Sequence, residues 1–283
     1  MDVTDARVAV APDVGLHVRH RPGDTSPAFL LVHGLSSNAR LWDGVAGRLA
    51  EAGHPAYAVD LRGHGESDQP PEGYDTATAA ADLAALAVAL GLEKVVVAGQ
   101  SWGGNVAVRL AAQHPELVAA LALVDGGWID LAADFASWEA CAAALRPPDI
   151  DGTPVRRVRG WMRRAHPDWS AAAVEATVAN LRVGADGRVT RRLPIPQHMA
   201  IVRSMWDDPP QRYLPSITAP VLLLPAIPRD DPKRAERTRS RVAAAAAALT
   251  AATIREYADS DHDLHAQHPE RLAADLLGLV GSP

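Results

Sequence analysis

Between Val95 and Pro115 the chain reads VVVAGQSWGGNVAVRLAAQHP. Three valines and an alanine lead to Gly99, a serine stands at 101, and Gly103-Gly104 run into an alanine-rich helical pattern. The β-branched run favours a strand and the later spacing a helix, so Ser101 falls at a strand–turn–helix corner. Gly99-Gln100-Ser101-Trp102-Gly103 is a G-x-S-x-G sequence, and such a corner is the context that its mechanics require. The turn is so sharp that side chains two positions before and after the serine would meet neighbouring backbone. Glycine at both relieves the crowding and leaves the hydroxyl projecting over the end of a sheet. The helix that begins at Trp102 aims its free N–H groups and positive dipole end at the same spot, where an oxyanion would be stabilised.

Outward from this corner, apolar strand-like runs alternate with helical patterns. RVAVA (Arg7 to Ala11) and GLHVRHRPG (Gly15 to Gly23) suggest a leading hairpin. AFLLVHG (28–34), PAYAVD (55–60), KVVVAG (94–99) and VAALALVD (118–125) read as buried strands, with helices expected near 39–52, 76–90 and 102–114. This βαβ rhythm predicts a mainly parallel sheet covered by helices on both faces. It stops at Gly126 and resumes at PVLLLPA (220–226), followed by a helix near 233–249, a strand TIREYA and a last helix PERLAADLLGLV. The intervening stretch of roughly 90 residues holds helical patterns at 132–145, 154–165, 170–180 and 196–206, too much structure of its own for a plain loop. It is expected to form a helical cap, residues 128–212, on a core made of 1–127 and 213–283. Its arginine-rich piece, RRVRGWMRR, reads as a solvated helix face.

Composition narrows the function classes. The 283 residues are 48% hydrophobic and 22% charged, with a net charge of −6 and a pI near 6.0, which suits a globular domain and argues against a nucleic-acid partner. Cys141 stands alone, which excludes an intrachain disulfide framework and fits a reducing, cytoplasmic location. The acidic N-terminus does not read as a signal peptide, and no apolar run has the length of a membrane span. No metal-ligand spacing, phosphate loop or nucleotide fingerprint appears, so neither a metal nor a cofactor is expected. The expected partner is a small-molecule substrate, with no nucleic acid and no membrane, and a homodimer is left open.

A serine hydroxyl needs a base to take its proton. Among eleven histidines, His262 in YADSDHDLHAQHPERLA stands just past the final strand, in a loop that opens at the serine's edge of the sheet. His265 comes one turn late, and His268 precedes Pro269 at a helix start.

Together with GQSWGG, the chain carries LLVHGLSS after the third strand, VDLRGHGESD after the fourth, a late PVLLLPA and a terminal DHDLHAQHPE. As a set and in this order, these resemble the α/β-hydrolase fold over nearly the whole chain. The resemblance implies an eight-stranded, mainly parallel sheet, a cap inserted after the sixth strand, a Ser–acid–His triad and a two-point oxyanion hole. It implies Ser101 as nucleophile, His262 as general base and acid, and the backbone N–H groups of Leu35 and Trp102 as the oxyanion hole. His33, Arg62 and His64 are then loop-shaping groups, and Trp128, directly after the sixth strand, is a substrate-binding candidate. Two positions depart from the family pattern. Asp261 precedes His262 where a glycine is usual. For the acid, Asp230 in PAIPRDDPKR is the nearest match, one residue later than the family places it, while Asp125 at the end of the sixth strand is the alternative. The implied chemistry is hydrolysis of an ester or thioester of a small to medium organic acid through an acyl-enzyme. Carbon–carbon bond hydrolysis or lyase chemistry, and acyl transfer, are alternatives on the same fold; a small-molecule receptor is the reading from a different class.

Overall fold

The computed structural model describes residues 2–281. Its main sheet has eight strands: β1 (Thr4–Ala11), β2 (Val14–Arg21), β3 (Ala28–Val32), β4 (Ala56–Val59), β5 (Val95–Gln100), β6 (Val118–Val124), β7 (Val221–Leu224) and β8 (Ala252–Ile254). Their spatial order is β1-β2-β4-β3-β5-β6-β7-β8. β2 runs antiparallel to both neighbours, and every pairing from β4 to β8 is parallel.

The central strands are continuous apolar runs because both faces of the sheet are covered, and the period of two deals their side chains alternately to two cores. Leu30 and Val32 of β3, Val95 and Val97 of β5, Leu121 and Leu123 of β6 and Val221 and Leu223 of β7 join one core. Helices α2 (Thr76–Ala89), α3 (Trp102–Gln113) and α9 (Pro232–Ala248) close that face through Leu83, Val106 and Val242. Phe29 and Leu31, Val96 and Ala98, Ala120 and Ala122, and Leu222 and Leu224 join the other core, which α1 (Asp43–Glu51) and α10 (Pro269–Leu277) close with Val45, Leu49, Leu272 and Leu276. Full burial of each such Leu or Val stabilises the fold by about 1.5–3 kcal/mol.

Between β6 and β7 lie α4 (Leu131–Asp134), α5 (Trp138–Leu145), α6 (Val155–Ala165), α7 (Ala171–Val178) and α8 (Ile195–Asp207). Three differences from the sequence reading stand out. The helix expected over 132–145 is two helices, because Phe135 is extended and Ser137 caps a new start by accepting from the Ala140 N–H. An unforeseen antiparallel hairpin pairs Leu181–Val183 with Val189–Arg191 around a tight turn in which Gly187 takes φ +71°. The strand expected at TIREYA is interrupted: β8 ends at Ile254, and Tyr257–Ala258 pairs separately with Ala226–Ile227 beyond Pro225. Short 3₁₀ turns at Pro210–Arg212 and Leu214–Ser216 bring the chain back to β7.

The backbone segments around Ser101 approach more closely than any side chain would permit. A Cβ on Gly99 would lie 2.3 Å from the Gly103 carbonyl oxygen, and one on Gly103 would lie 2.4 Å from that of His33. A Cβ on Gly104 would lie 2.5 Å from the Gly127 nitrogen. All three obstacles are backbone and cannot rotate away. Gly103→Ala is therefore expected to cost about 1–3 kcal/mol or more through overpacking and to lower Tm by several degrees in thermal denaturation, whereas Gly152→Ala, which meets nothing, costs only what its positive φ imposes.

Candidate functional site

The carboxyl ends of β3, β5, β6 and β7 open at one edge, where open parallel sheets place their ligand crevices. Each end contributes one element of the site. After β5, Ser101 adopts φ +54°, ψ −123°, a conformation that costs an ordinary residue about 1–3 kcal/mol and must be held by its surroundings. Its N–H donates to the Val124 carbonyl (3.0 Å), and its own carbonyl accepts from the Gly104 N–H (2.9 Å). Gly34, from the loop after β3, presses on the same corner: a Cβ there would lie 2.9 Å from Ser101 Cβ.

After β6, Asp125 also takes a positive φ, +41°, a region that aspartate tolerates better than most residues. Gly126 follows with its Cα against the serine corner, since a Cβ there would stand 2.1 Å from the Ser101 carbonyl oxygen. The Asp125 carboxylate is held on both oxygens. Oδ1 accepts from the Ala226 N–H (3.0 Å), and Oδ2 meets His262 Nδ1 at 2.5 Å. Pro225, which has no N–H, separates Ala226 from β7, and the ladder between β6 and β7 ends at Val124 and Leu224. The Ala226 N–H is thereby available to the carboxylate.

The His262 loop is tied to the residue before the serine: Gln100 Nε2 donates to the His262 carbonyl at 3.1 Å. Burial works against an imidazolium there, but the bonded Asp125 carboxylate outweighs it and raises the His262 pKa above the ordinary histidine value. With Nδ1 engaged, Nε2 is the ring nitrogen left for proton transfer. Asp230, the other carboxylate that the sequence left open, is exposed on the loop with Arg229 and Asp231 and makes no bond to the imidazole. The prolines at 225, 228 and 232 direct that loop outward, and the short side chain of Asp230 stays with it.

His33, His64 and His268 are accounted for by their partners, and His265 by its burial. His33 donates from Nδ1 to the Gly34 carbonyl (2.7 Å), and its Nε2 accepts from the Leu61 N–H (3.0 Å). His64 donates from Nδ1 to the Arg62 carbonyl (2.9 Å), and its Nε2 accepts from the Ser36 N–H (3.1 Å). Burial pushes His64 down to about 3, so it is neutral with both nitrogens occupied. His265 is buried on the Trp42 ring, 4.7 Å between centroids, with neither nitrogen bonded and a pKa pushed down to about 4 by burial. His268 bonds Ser260 Oγ (2.9 Å).

The backbone N–H groups of Leu35 and Trp102 have no acceptor among the described residues. The loop that carries Leu35 is fixed at Ser36 (φ +58°) from two sides: His64 holds its N–H, and His198 of α8 accepts from its Oγ at Nδ1 (2.9 Å) while donating from Nε2 to the Leu145 carbonyl (3.2 Å). A second bond joins the inserted segment to the His262 loop, His166 Nδ1 to Asp261 Oδ2 at 2.8 Å. Neither histidine was singled out in the sequence, because His198 lies 162 positions from Ser36 and His166 lies 95 from Asp261. The one visible signal was the unusual Asp261. Two cavities border the site. One of about 180 Å³ lies between Ser36, His64 and the side chains of Val158, Met162, Leu181 and Leu193. Another of about 570 Å³ has Asp125, Trp128, Phe135 and His262 in its wall. Most inserted tryptophans pack instead: Trp138 against Trp206, and Trp169 on His166.

A sharp serine corner over the carboxyl edge of a doubly covered sheet, with a histidine–aspartate pair beside it, defines an architecture shared by many hydrolases. The chain belongs to the α/β-hydrolase family, whose model for the alpha/beta hydrolase fold matches residues 27–269. It is similar to lipase LipV of Mycobacterium tuberculosis, 43% identical over 113 residues, which are 40% of this chain and 42% of that protein. The matches with the first curated relatives span about a third of their length, 32% in three mycobacterial proteins. Among solved structures, E-2-(acetamidomethylene)succinate hydrolase superposes with a TM-score of 0.81 at 20% identity, covering 99% of this chain and 100% of that one. A thioesterase domain from the curacin biosynthetic pathway gives 0.79 at 19% identity, covering 98% and 100%. At these identities the likeness is one of fold.

Two titrations check the site's electrostatics. Asp125→Asn removes the charge that raises His262, so the imidazole titrates at lower pH in nitrogen NMR, while Asp230→Asn leaves it unchanged. His265 is neutral in the fold and titrates normally once unfolded, so protons bind the unfolded chain first and stability falls as pH drops below about 6.5. His265→Phe is expected to raise Tm more at pH 5 than at pH 8.

Proposed function

We propose that the protein is a serine hydrolase that cleaves an ester or thioester of a small to medium organic acid. The observation that carries the reading is the Asp125–His262 pair beside a strained serine corner, with two unbonded N–H groups, those of Leu35 and Trp102, flanking the same edge.

In this reading His262 Nε2 takes the Ser101 hydroxyl proton as Oγ attacks the substrate carbonyl carbon. The carbonyl oxygen becomes an oxyanion that accepts from the Leu35 and Trp102 N–H groups, with the α3 dipole behind it. Asp125 keeps the proton-bearing Nδ1 in place and stabilises the imidazolium. His262 then gives its proton to the departing alcohol or thiol, leaving Ser101 acylated. A water, deprotonated by His262, attacks the acyl carbon; collapse returns the proton to Ser101 and frees the acid. Ser101 already holds its strained backbone conformation before any substrate arrives.

The segment 128–212 acts as a cap in this reading, and the cavity beneath Val158, Met162, Leu181 and Leu193 takes an apolar arm of the substrate. Trp128 serves as a wall of the second cavity. None of the helices among the described residues is long and apolar enough to cross a membrane, and the lone Cys141 supports a reducing compartment, the cytoplasm. A relative named as a lipase supports ester chemistry.

A fluorophosphonate probe should attach once to the wild type and not at all to Ser101→Ala. Turnover of p-nitrophenyl butyrate should fall about 10⁴- to 10⁶-fold in Ser101→Ala and in His262→Ala, and about 10⁴-fold in Asp125→Asn with Tm unchanged. Because the base must be neutral, kcat/KM should decline as pH drops through the raised His262 pKa. Undiminished labelling of Ser101→Ala would overturn the nucleophile.

A further inference from the structure

Helix α9 turns one stripe of three arginines, Arg234, Arg237 and Arg241, towards the cavity of about 570 Å³ that has His262 and Asp125 in its wall. Their spacing of three and four residues places them on one helical face. Arg241 is neutralised there by Asp134, Nη1 to Oδ2 at 3.0 Å. Arg234 and Arg237 are not: neither guanidinium has a hydrogen bond, an ion pair or a ring partner among the described residues. By contrast, Arg229 pairs with Asp259, and Arg239, on another face of α9, pairs bidentately with Glu256. The cavity's two carboxylates are already committed, Asp125 to His262 and Asp134 to Arg241. Two guanidinium charges therefore remain unpaired in this wall, and Arg234, with Asp263 acting in the opposite sense, is near enough to weigh on the protonation of the imidazole.

We propose that Arg234 and Arg237 form an anion subsite that receives a carboxylate carried by the substrate, so that the preferred esters are those bearing a second, ionised acid group. The inference rests on the hydrolase reading above and names its substrate class. A guanidinium fork matches a carboxylate in shape and charge, and helix α9 holds the two forks one turn apart, so a single carboxylate can be shared between them. The reacting carbonyl of such a substrate lies at the Ser101 edge, and its charged end extends past His262 into the cavity. Trp128 and Phe135, in the same wall, offer apolar surface to the methylenes between.

The test compares p-nitrophenyl hemiglutarate with neutral p-nitrophenyl valerate on the wild type, Arg237→Gln and the double variant Arg234→Gln/Arg237→Gln. Both positions are exposed on a helix, so glutamine keeps the fold. The hemi-ester is expected to show the lower KM with the wild type, an advantage that shrinks with added salt. Its KM should rise about tenfold or more in the double variant, and the hemi-ester to valerate ratio of kcat/KM should fall by the same factor, read at a pH well above the His262 pKa, where the loss of Arg234 leaves the imidazole neutral. Calorimetry of monomethyl glutarate binding to Ser101→Ala, with and without the two arginine substitutions, reads the subsite without turnover. Valerate turnover with no hemi-ester preference, and no arginine-dependent binding, overturns the subsite while leaving the hydrolase reading intact. A response of valerate turnover to inorganic phosphate that the double variant abolishes, again without hemi-ester preference, makes the occupant a free ion and overturns the substrate arm. Arginine-dependent binding without ester turnover supports the subsite and counts against the hydrolase reading alone.

Discussion

Everything at the site depends on how closely four pieces of backbone meet at Ser101. Gly99 lies against Gly103, Gly103 against His33, Gly104 against Gly127, and Gly126 against Ser101 itself, each at a separation that a single methyl group would violate. The contacts bring the ends of β3, β5 and β6 together, and with them the Leu35 loop, the serine and the Asp125 carboxylate. They also hold Ser101 in a positive-φ conformation that a looser corner would relax. The interlock is paid for by the two apolar cores on either face of the sheet, whose strands cannot shift register without turning their side chains to the wrong side.

On this rigid edge the inserted segment is joined at the two places where the site is made of loop. His198 holds Ser36, the neighbour of Leu35, and His166 holds Asp261, the neighbour of His262. Further bonds run from Asn38 to the Ala176 carbonyl (2.7 Å) and from Gln69 to the Arg192 carbonyl (2.6 Å), so the segment is seated on the same loops that the sheet presents. The Asp60 carboxylate organises the core side of this seat: it accepts from the Ala39 and Glu66 N–H groups and meets His17 Nδ1 at 2.7 Å. Burial alone would raise its pKa, but these bonds outweigh burial and keep it below the ordinary carboxylate range. The motif VDLRGHGESD thus builds loops, with Arg62 paired to Asp82 and His64 neutral between two backbone groups.

Local periodicity made most of the core legible. Strands buried on both faces must be continuous apolar runs, and the helices between them keep their 3.6-residue pattern, so β3 to β7 and α1 to α3 stand where the alternation put them. The inserted segment was less legible because its elements are short. The hairpin at 181–191 is two runs of three residues, too brief for a period to register, although Asp186-Gly187 was a turn signal that could have revealed it. The division between α4 and α5 rests on one capping serine, Ser137, within an otherwise helical run.

The sequence by itself determined the sheet, the serine corner and the histidine loop, because each is specified by neighbours within a dozen residues: a β-branched run, flanking glycines, a strand followed by a helix start. It could not determine which carboxylate meets His262. Asp125 and Asp230 are both short acids just past a strand, and nothing local tells them apart. Only the assembled structure decides, since Asp125 is aimed by its own positive φ and by the Ala226 N–H just beyond β7, 101 positions away, while the proline-bound loop carries Asp230 into solvent. The two histidine bonds of the inserted segment and the unpaired arginines beside His262 are of the same kind. They depend on surfaces that meet only after the chain has folded, and pairings between distant residues leave no period in the sequence to read.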